Sequence, residues 1–280
     1  MNAPEPGISV GPYELVEEIG EGATGRVFLA KHSILERPFA IKFLRESNAD
    51  HDQFRERFMR EARLASQLSH DHLVEVVGAN DSDCGLYLVM EYVESTTLGE
   101  AADAGRLKAI QAVRCSLHVL RGLHHAHEHG LLHRDVKAGN VLLARSGQCK
   151  LTDFGLVRME DHDSRLTSDD AAVGTPFYMS PEQWSNNGVD RRTDIFAAGV
   201  LLYFLLTGRF PFPGDSPISV LERLKRGEHD PLESVDLPEI DQPASRRDLT
   251  DALAGFLDRA LARNRGERYT TAEAFADDLE

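Results

Sequence analysis

A chain of 280 residues that is 41% apolar can bury the core of one large domain or of two lobes, which excludes disorder as its default state. Its net charge of −15 argues against nucleic acid or an anionic membrane as a general partner. Cys84, Cys115 and Cys149 are odd in number and unclustered, which points away from a disulfide framework or a cysteine zinc site and toward a reducing cytoplasm.

Residues 1–12 are rich in proline and glycine and read as a flexible tail. They lack the basic and apolar parts of an export signal and the glycine needed for myristoylation. Strands are expected at Tyr13 to Ile19, Arg26 to Lys31 and Pro38 to Phe43, forming one antiparallel sheet. Phe54, Phe58, Glu61, Leu64 and Leu68 then recur at helical spacing, with Arg55, Arg57, Arg60 and Arg63 on the other faces, so Gln53 to Leu68 reads as a helix packed on that sheet. The arginines are most simply a solvated face. Further strands are expected at Leu73 to Val77 and Leu86 to Glu91. Beyond them the chain reads mainly as helices, at Ala109 to His129, Thr193 to Leu206, Pro217 to Arg226 and Leu249 to Arg263. The longest apolar run, Ile195 to Leu206, falls short of the roughly 20 residues that span a bilayer and reads as a buried helix. Internal repeats and low-complexity blocks are absent.

Three groups of residues carry chemistry. Gly20-Glu21-Gly22-Ala23-Thr24-Gly25 joins the first two strands; a G-x-G-x-x-G match alone is weak, but a dinucleotide loop would lead into a helix, whereas here Val27 to Ala30 continue as strand. Glycines without Cβ let the backbone approach phosphate oxygens closely. Ala40-Ile41-Lys42 places a lysine on the third strand, where an inward orientation would need a partner. Finally, His133-Arg134-Asp135-Val136-Lys137-Ala138-Gly139-Asn140 is followed, after a short apolar hairpin, by Asp153-Phe154-Gly155. A base for a hydroxyl, a cation and two oxygen ligands for a metal are the positioning groups that phosphoryl transfer needs.

In these motifs the chain resembles the eukaryotic-like (Hanks-type) serine/threonine protein kinases, with details such as Ser180-Pro181-Glu182-Gln183 nearest to bacterial members. The resemblance implies an α+β, two-lobed protein-kinase fold over residues 13–280, with a sheet-rich N-lobe (13–92) and a mainly helical C-lobe (93–280). It implies ATP and Mg2+ as cofactors and protein serine/threonine hydroxyls as acceptors, because Lys137 and Thr175 match the serine/threonine branch. Residue by residue, Gly20, Gly22 and Gly25 would cover the phosphates. Lys42 would bridge the α- and β-phosphates and be held by Glu61, which fits better than Glu46 or Glu56. Val27, Ala40 and Leu142 would sandwich the adenine, with its edge paired to backbone at Glu91 and Val93 and Met90 at the back of the pocket. Asp135 would accept or orient the hydroxyl proton, Lys137 would neutralise the moving phosphoryl group, and Asn140 and Asp153 would hold magnesium.

The same resemblance makes Gly174 to Glu182 the end of an activation segment and its peptide-docking floor, pairs Glu182 with Arg268, and makes Asp194 a structural anchor for the catalytic loop. Departures are Ala138-Gly139 in place of proline and a larger residue, Ser180 in place of alanine, and no acidic residue at Thr97 or Gly139, so no basophilic preference is supported. Arg134 would receive an activation-loop phosphate from Thr167 or Ser168, with Arg158 a second donor, unless Asp169 or Asp170 supplies that charge. His125 and His129 have the spacing of a helical metal pair but no evident third ligand, and His133 reads as packed under Phe154. Two alternatives are a pseudokinase scaffold, opposed by intact Lys42, Asp135, Asn140 and Asp153, and a small-molecule kinase, opposed by the docking floor. The chain shows no membrane span or sensor segment, so a homodimer or a sensor partner is expected to bring the upstream signal to a cytoplasmic enzyme.

Overall fold

The computed structural model describes residues 3–22, 24–45, 51–105, 107–154, 175–185, 188–232 and 243–280. They form two compact units that meet in sequence at Glu94 and Ser95.

The first unit is built on a six-stranded antiparallel sheet. Its strands are β1 (Ser9–Val10), β2 (Tyr13–Gly22), β3 (Gly25–His32), β4 (Pro38–Leu44), β5 (Val76–Ser82) and β6 (Gly85–Glu91), in the order β1-β2-β3-β4-β6-β5. Period-two alternation puts Phe28, Ala30, Phe39, Ile41, Phe43, Tyr87 and Val89 on one face, where they form a core with Val10 and Leu15. Edge-to-face rings at 5.3 Å (Tyr13–Phe39) and 5.8 Å (Phe28–Phe43) fill it.

Sequence and structure part in three places here. The tail expected through residue 12 instead enters the sheet at Ser9: Val10 is buried, the Gly7 N–H donates to Leu15 O at 2.7 Å and the Leu15 N–H to Ile8 O at 2.9 Å. The apolar pair Ile8 and Val10 wins over the flanking glycines. The strand expected at Leu73 to Val77 lies later, because its register is set by the tight Ser82–Gly85 turn into β6. Helix α1 (His51–Ala65) buries Phe58, Glu61, Ala62 and Ala65 beside β5, while Leu64 falls outside this stripe and is exposed.

The second unit carries a small antiparallel sheet of β7 (Ser95–Thr97), β8 (Val141–Ala144) and β9 (Cys149–Leu151), with β8 central. Its helices are α2 (Leu98–Asp103), α3 (Ala109–Glu128), α4 (Pro181–Ser185), α5 (Arg191–Thr207), α6 (Pro217–Arg226), α7 (Pro243–Ala260) and α8 (Ala272–Leu279). Helix α2, not expected from the sequence, starts at a capping box in which Thr97 Oγ1 accepts the Glu100 N–H and Glu100 Oε2 accepts the Thr97 N–H. Every residue of α5 from Thr193 to Leu206 except Phe204 is buried, as its uninterrupted apolar run requires of a central helix. Gly199 permits the close approach of α7, since a Cβ there would lie 2.9 Å from the Ala260 Cβ. Helix α7 begins well before Leu249, with Pro243 at its first turn. Among the described residues no helix is long and apolar enough to cross a membrane.

Candidate active site

In the first unit the β2–β3 hairpin presents the glycine-rich segment, with Gly20 opposite Val27 and Gly22 opposite Gly25. Gly25 is dictated by the fold: its φ is +149° and a Cβ would sit 1.8 Å from the Phe43 carbonyl oxygen. Gly20 and Gly22 are different, because a Cβ on either meets nothing within 4 Å. The fold makes no demand for glycine at those two places. Arg26 braces the hairpin, gripping Glu18 through Nε (3.1 Å) and Nη2 (2.6 Å) and reaching Pro4 O at 2.8 Å.

Lys42 stands mid-strand on β4 with Val27 opposite on β3 and Leu88 opposite on β6; Ala40 faces Met90. Since Phe39, Ile41 and Phe43 point into the core, alternation assigns Ala40 and Lys42 to the other face. Lys42 is 7% exposed and Glu61 9%, whereas Glu56 is exposed and Glu46 lies outside the described residues. Burying a charge costs several kcal/mol unless it is compensated, on the order of a full salt-bridge desolvation, so a buried ammonium and a buried carboxylate in one small unit call for each other. Met90 is buried at the end of β6. The neighbouring Glu91 donates its N–H to Glu75 O at 3.0 Å and accepts the Glu75 N–H on Oε1 at 2.9 Å. Val93 follows in the segment that leaves the strand.

In the second unit the catalytic-loop residues converge. Asp135 Oδ2 receives Asn140 Nδ2 at 3.0 Å and Lys137 Nζ at 3.1 Å, and Asn140 Nδ2 also donates to the Asp135 carbonyl at 2.8 Å. Asn140 O accepts the Thr152 N–H at 2.9 Å, which fixes the strand leading to Asp153. Leu142 on β8 lies between Thr97 and Lys150. Arg134 and Asp153 both take φ of +63°, a left-handed backbone that non-glycine residues adopt at a cost of about 1–3 kcal/mol and that clusters at functional sites.

The strain at Arg134 is held from behind. Asp194, buried on α5, accepts the Arg134 N–H at 2.7 Å and the His133 N–H at 2.9 Å, and His127 Nε2 donates to it at 2.8 Å. Burial by itself would raise the Asp194 carboxyl, but the His127 ring and the His133 amide more than reverse this and hold it below the usual aspartate range. His133 is 0% exposed, lies 4.9 Å from the Phe154 ring, and bridges two segments: Nδ1 accepts the Asp135 N–H at 3.2 Å, so Nε2–H donates to Thr152 O at 2.9 Å. Burial pushes its pKa down, against the pull of Asp194, and keeps it in this neutral form.

Glu182 and Arg268 form the expected pair, Nη1 to Oε1 at 2.7 Å and Nη2 to Oε2 at 3.0 Å, with Thr193 Oγ1 donating to Oε1 at 2.9 Å. Residues 155–174, which include Arg158, Thr167, Ser168, Asp169 and Asp170, lie outside the described residues.

A model of the protein kinase domain matches residues 13–279. The chain belongs to the protein kinase family. It is 38% identical over 278 residues to the serine/threonine-protein kinase PksC of Streptomyces coelicolor, covering 96% of this chain and 48% of that protein. To PknB of Mycolicibacterium smegmatis it is 36% identical, covering 95% and 42%, and to PrkC of Bacillus subtilis 33%, covering 96% and 40%. This kinase-family chain thus spans about half the length or less of these relatives. Among solved structures, the kinase domain of Mycobacterium tuberculosis PknI superposes with a TM-score of 0.73 at 30% identity, covering 99% of this chain and 98% of that one. The two-lobed kinase fold with an antiparallel N-lobe sheet and a helical C-lobe is therefore established, and the relatives are its bacterial serine/threonine members.

Two participants in this kinase site escaped the sequence reading. His127 was one of five closely spaced histidines with nothing to single it out. Gln183 carries a local signal, since Ser180-Pro181-Glu182-Gln183 is the S-x-x-Q pattern of a helix start.

Proposed function

We propose that this chain is an ATP- and Mg2+-dependent protein serine/threonine kinase. The observation that carries the reading is the convergence of Lys137 and Asn140 on the Asp135 carboxylate, tied through Thr152 to Asp153. In this reading Asp135 orients the acceptor hydroxyl and takes its proton. Asn140 Nδ2 and Lys137 Nζ both hold its Oδ2, which orients the carboxylate for that step. Lys137 stands beside it to offset charge on the phosphoryl group in transit.

The oxygen donors suit a hard cation. Asn140 commits its Nδ2 to Asp135, which leaves Oδ1 as its ligating atom, and Asp153 offers a carboxylate. Bound there, Mg2+ would neutralise phosphate charge. In the first unit, Lys42 is assigned to the α- and β-phosphates with Glu61 as its buried counter-charge. Gly20 and Gly22 support a nucleotide as well: the fold does not need glycine there, and a phosphate approaching the backbone does. The adenine is assigned to Val27, Ala40, Met90 and Val93 of this unit. Backbone at Glu91 and Val93 is assigned to the adenine edge.

The acceptor class, serine or threonine on proteins, rests on Lys137 and Thr175 and on the similarity to PksC, PknB and PrkC. Activity is assigned to the cytoplasm, where ATP and reduced cysteines are found, with autophosphorylation in the activation segment driven by a second copy or a sensor partner. Incubation with γ-labelled ATP, Mg2+ and a generic protein substrate tests the reading. Label on serine and threonine is expected; ADP formation without protein labelling, or label confined to tyrosine, would overturn it.

A further inference from the structure

The Arg134–Asp135 peptide is clamped at both ends. Its N–H donates to His133 Nδ1 at 3.2 Å, and its carbonyl accepts Gln183 Nε2 at 3.0 Å. The residue on its N-terminal side, Arg134, has a left-handed φ that is set by the preceding peptide, held by Asp194 through the Arg134 N–H, whereas the Arg134–Asp135 peptide sets ψ of Arg134 and φ of Asp135. Rotation of the Arg134–Asp135 peptide would re-aim Asp135.

Gln183 is itself locked. Ser180 caps α4, its carbonyl accepting the Gln183 N–H at 3.0 Å and the Trp184 N–H at 3.3 Å, with Pro181 at the first helical position. The Gln183 side chain reaches back in the manner of a capping box, Oε1 accepting the Ser180 N–H at 3.0 Å and the Ser180 hydroxyl at 3.3 Å. Those donors require oxygen at that end of the amide, and the Arg134 carbonyl requires nitrogen at the other. Both residues are buried, Ser180 at 0% and Gln183 at 7% exposure. The hydroxyl that distinguishes Ser180 from the usual alanine thus adds a bond that sets the amide.

We propose that Gln183 is a positioning residue for Asp135, and that Ser180 sets its orientation, so that the start of α4 and the catalytic loop are ordered together. The kinetic part of the test rests on the kinase reading; the exchange part does not. Gln183→Glu keeps the acceptor for Ser180 but puts a carboxylate oxygen against the Arg134 carbonyl, and Gln183→Met keeps the length without either polar group. Both are expected to lower kcat roughly 10- to 100-fold, the range that misplacement of a reacting group produces. KM for ATP is expected to hold within about twofold, because nucleotide contacts are untouched. Ser180→Ala retains the backbone N–H bond and should lose less.

A residue that merely stabilised the fold would lower the melting temperature and leave kcat of the folded enzyme unchanged. Deuterium uptake across residues 131–140 should rise in both Gln183 variants while uptake across α5 stays as in the wild type. Wild-type kcat in folded Gln183→Glu and Gln183→Met, together with wild-type uptake, would overturn the proposal. If the wild-type chain transfers no phosphate, the kinase reading fails, and the exchange comparison still decides whether Gln183 orders the loop.

Discussion

The Asp194 carboxylate accepts the Arg134 backbone N–H at 2.7 Å, and Arg134 is one of three described non-glycine residues with positive φ. A buried anion on the central helix is thus bonded directly to the strained residue before Asp135. Asp194→Asn offers one acceptor where the carboxylate offers two, and turns an amide donor toward one of three N–H groups. A buried donor without an acceptor, plus the lost charge, is expected to destabilise the protein by about 3 kcal/mol. Urea unfolding measures it, and phosphate transfer should fall as well. A variant as stable and as active as the wild type would show that the loop holds its own shape.

The Glu182–Arg268 pair gives the stability a defined pH dependence. Burial would push the Glu182 carboxyl up, but the Arg268 guanidinium reverses this and holds it below its ordinary 4.5. A depressed acid contributes stability that is fully present above pH 4.5 and is lost as the pH falls through the folded-state value. Glu182→Gln should therefore be less stable than wild type at neutral pH by about 3–5 kcal/mol, the cost of leaving Arg268 buried without its partner. The difference should shrink as the medium is acidified below pH 4.5. Unfolding curves for both proteins over this range check the sign, and a gap independent of pH would contradict the assignment.

Much of this architecture could be read before any coordinates, for physical reasons that differ by element. The strands β2, β3 and β4 announced themselves as short runs of strand-forming residues between turn residues, although on β4 Ala40 and Lys42 are buried as well as Phe39, Ile41 and Phe43. Helix α5 announced itself by an apolar run too long for a strand. Composition marks Pro4, Pro6, Gly7 and Gly11 as a tail, while the pairing of Ser9 and Val10 depends on Tyr13 and Glu14 across the sheet. Helix α2 is six residues long and rests on a cap, which periodicity cannot detect. The motif residues were legible since their chemistry demands particular side chains. His127 and Gln183 were opaque because they act on a buried carboxylate and a backbone carbonyl that only the folded chain brings near, whereas His133 was legible as a ring packed under Phe154.

Asp153→Asn is expected to abolish metal-dependent transfer while the melting temperature stays near that of the wild type. The substitution removes one charged oxygen ligand and with it the neutralisation of developing phosphate charge, yet retains the side-chain volume. Transfer at near wild-type rate would sink the assignment of Asp153 as a metal ligand.

For Lys42→Ala, turnover should fall more than nucleotide affinity, since a lysine aimed at phosphates contributes most when charge shifts in the transition state. Single-turnover rates and an ATP titration separate the two effects. Weaker binding with unchanged turnover would assign Lys42 to ground-state binding alone.

Activation-segment control is the remaining expectation, and it concerns Thr167 and Ser168. Arg134, whose backbone is held by Asp194 and Gln183, is assigned as the receiver of a phosphate from either hydroxyl. Phosphorylation adds a charge of about −1.5 to −2 and three acceptor oxygens, enough for charge-assisted bonds to a guanidinium. The acidic run Asp161, Asp163, Asp169 and Asp170 offers a competing source of negative charge that needs no modification. A carboxylate carries one charge and two oxygens, so it pairs with arginine less strongly than a phosphate does, and the switch is favoured on that ground. The chain is incubated with ATP and its sites mapped by mass spectrometry. Wild type and the Thr167→Ala, Ser168→Ala double variant are then compared before and after phosphatase treatment. Activation of the wild type by ATP, its loss on dephosphorylation, and a low, ATP-insensitive rate in the double variant are expected. Equal activity in all samples would mean that the aspartates serve Arg134 without modification, and the phosphate switch would fall.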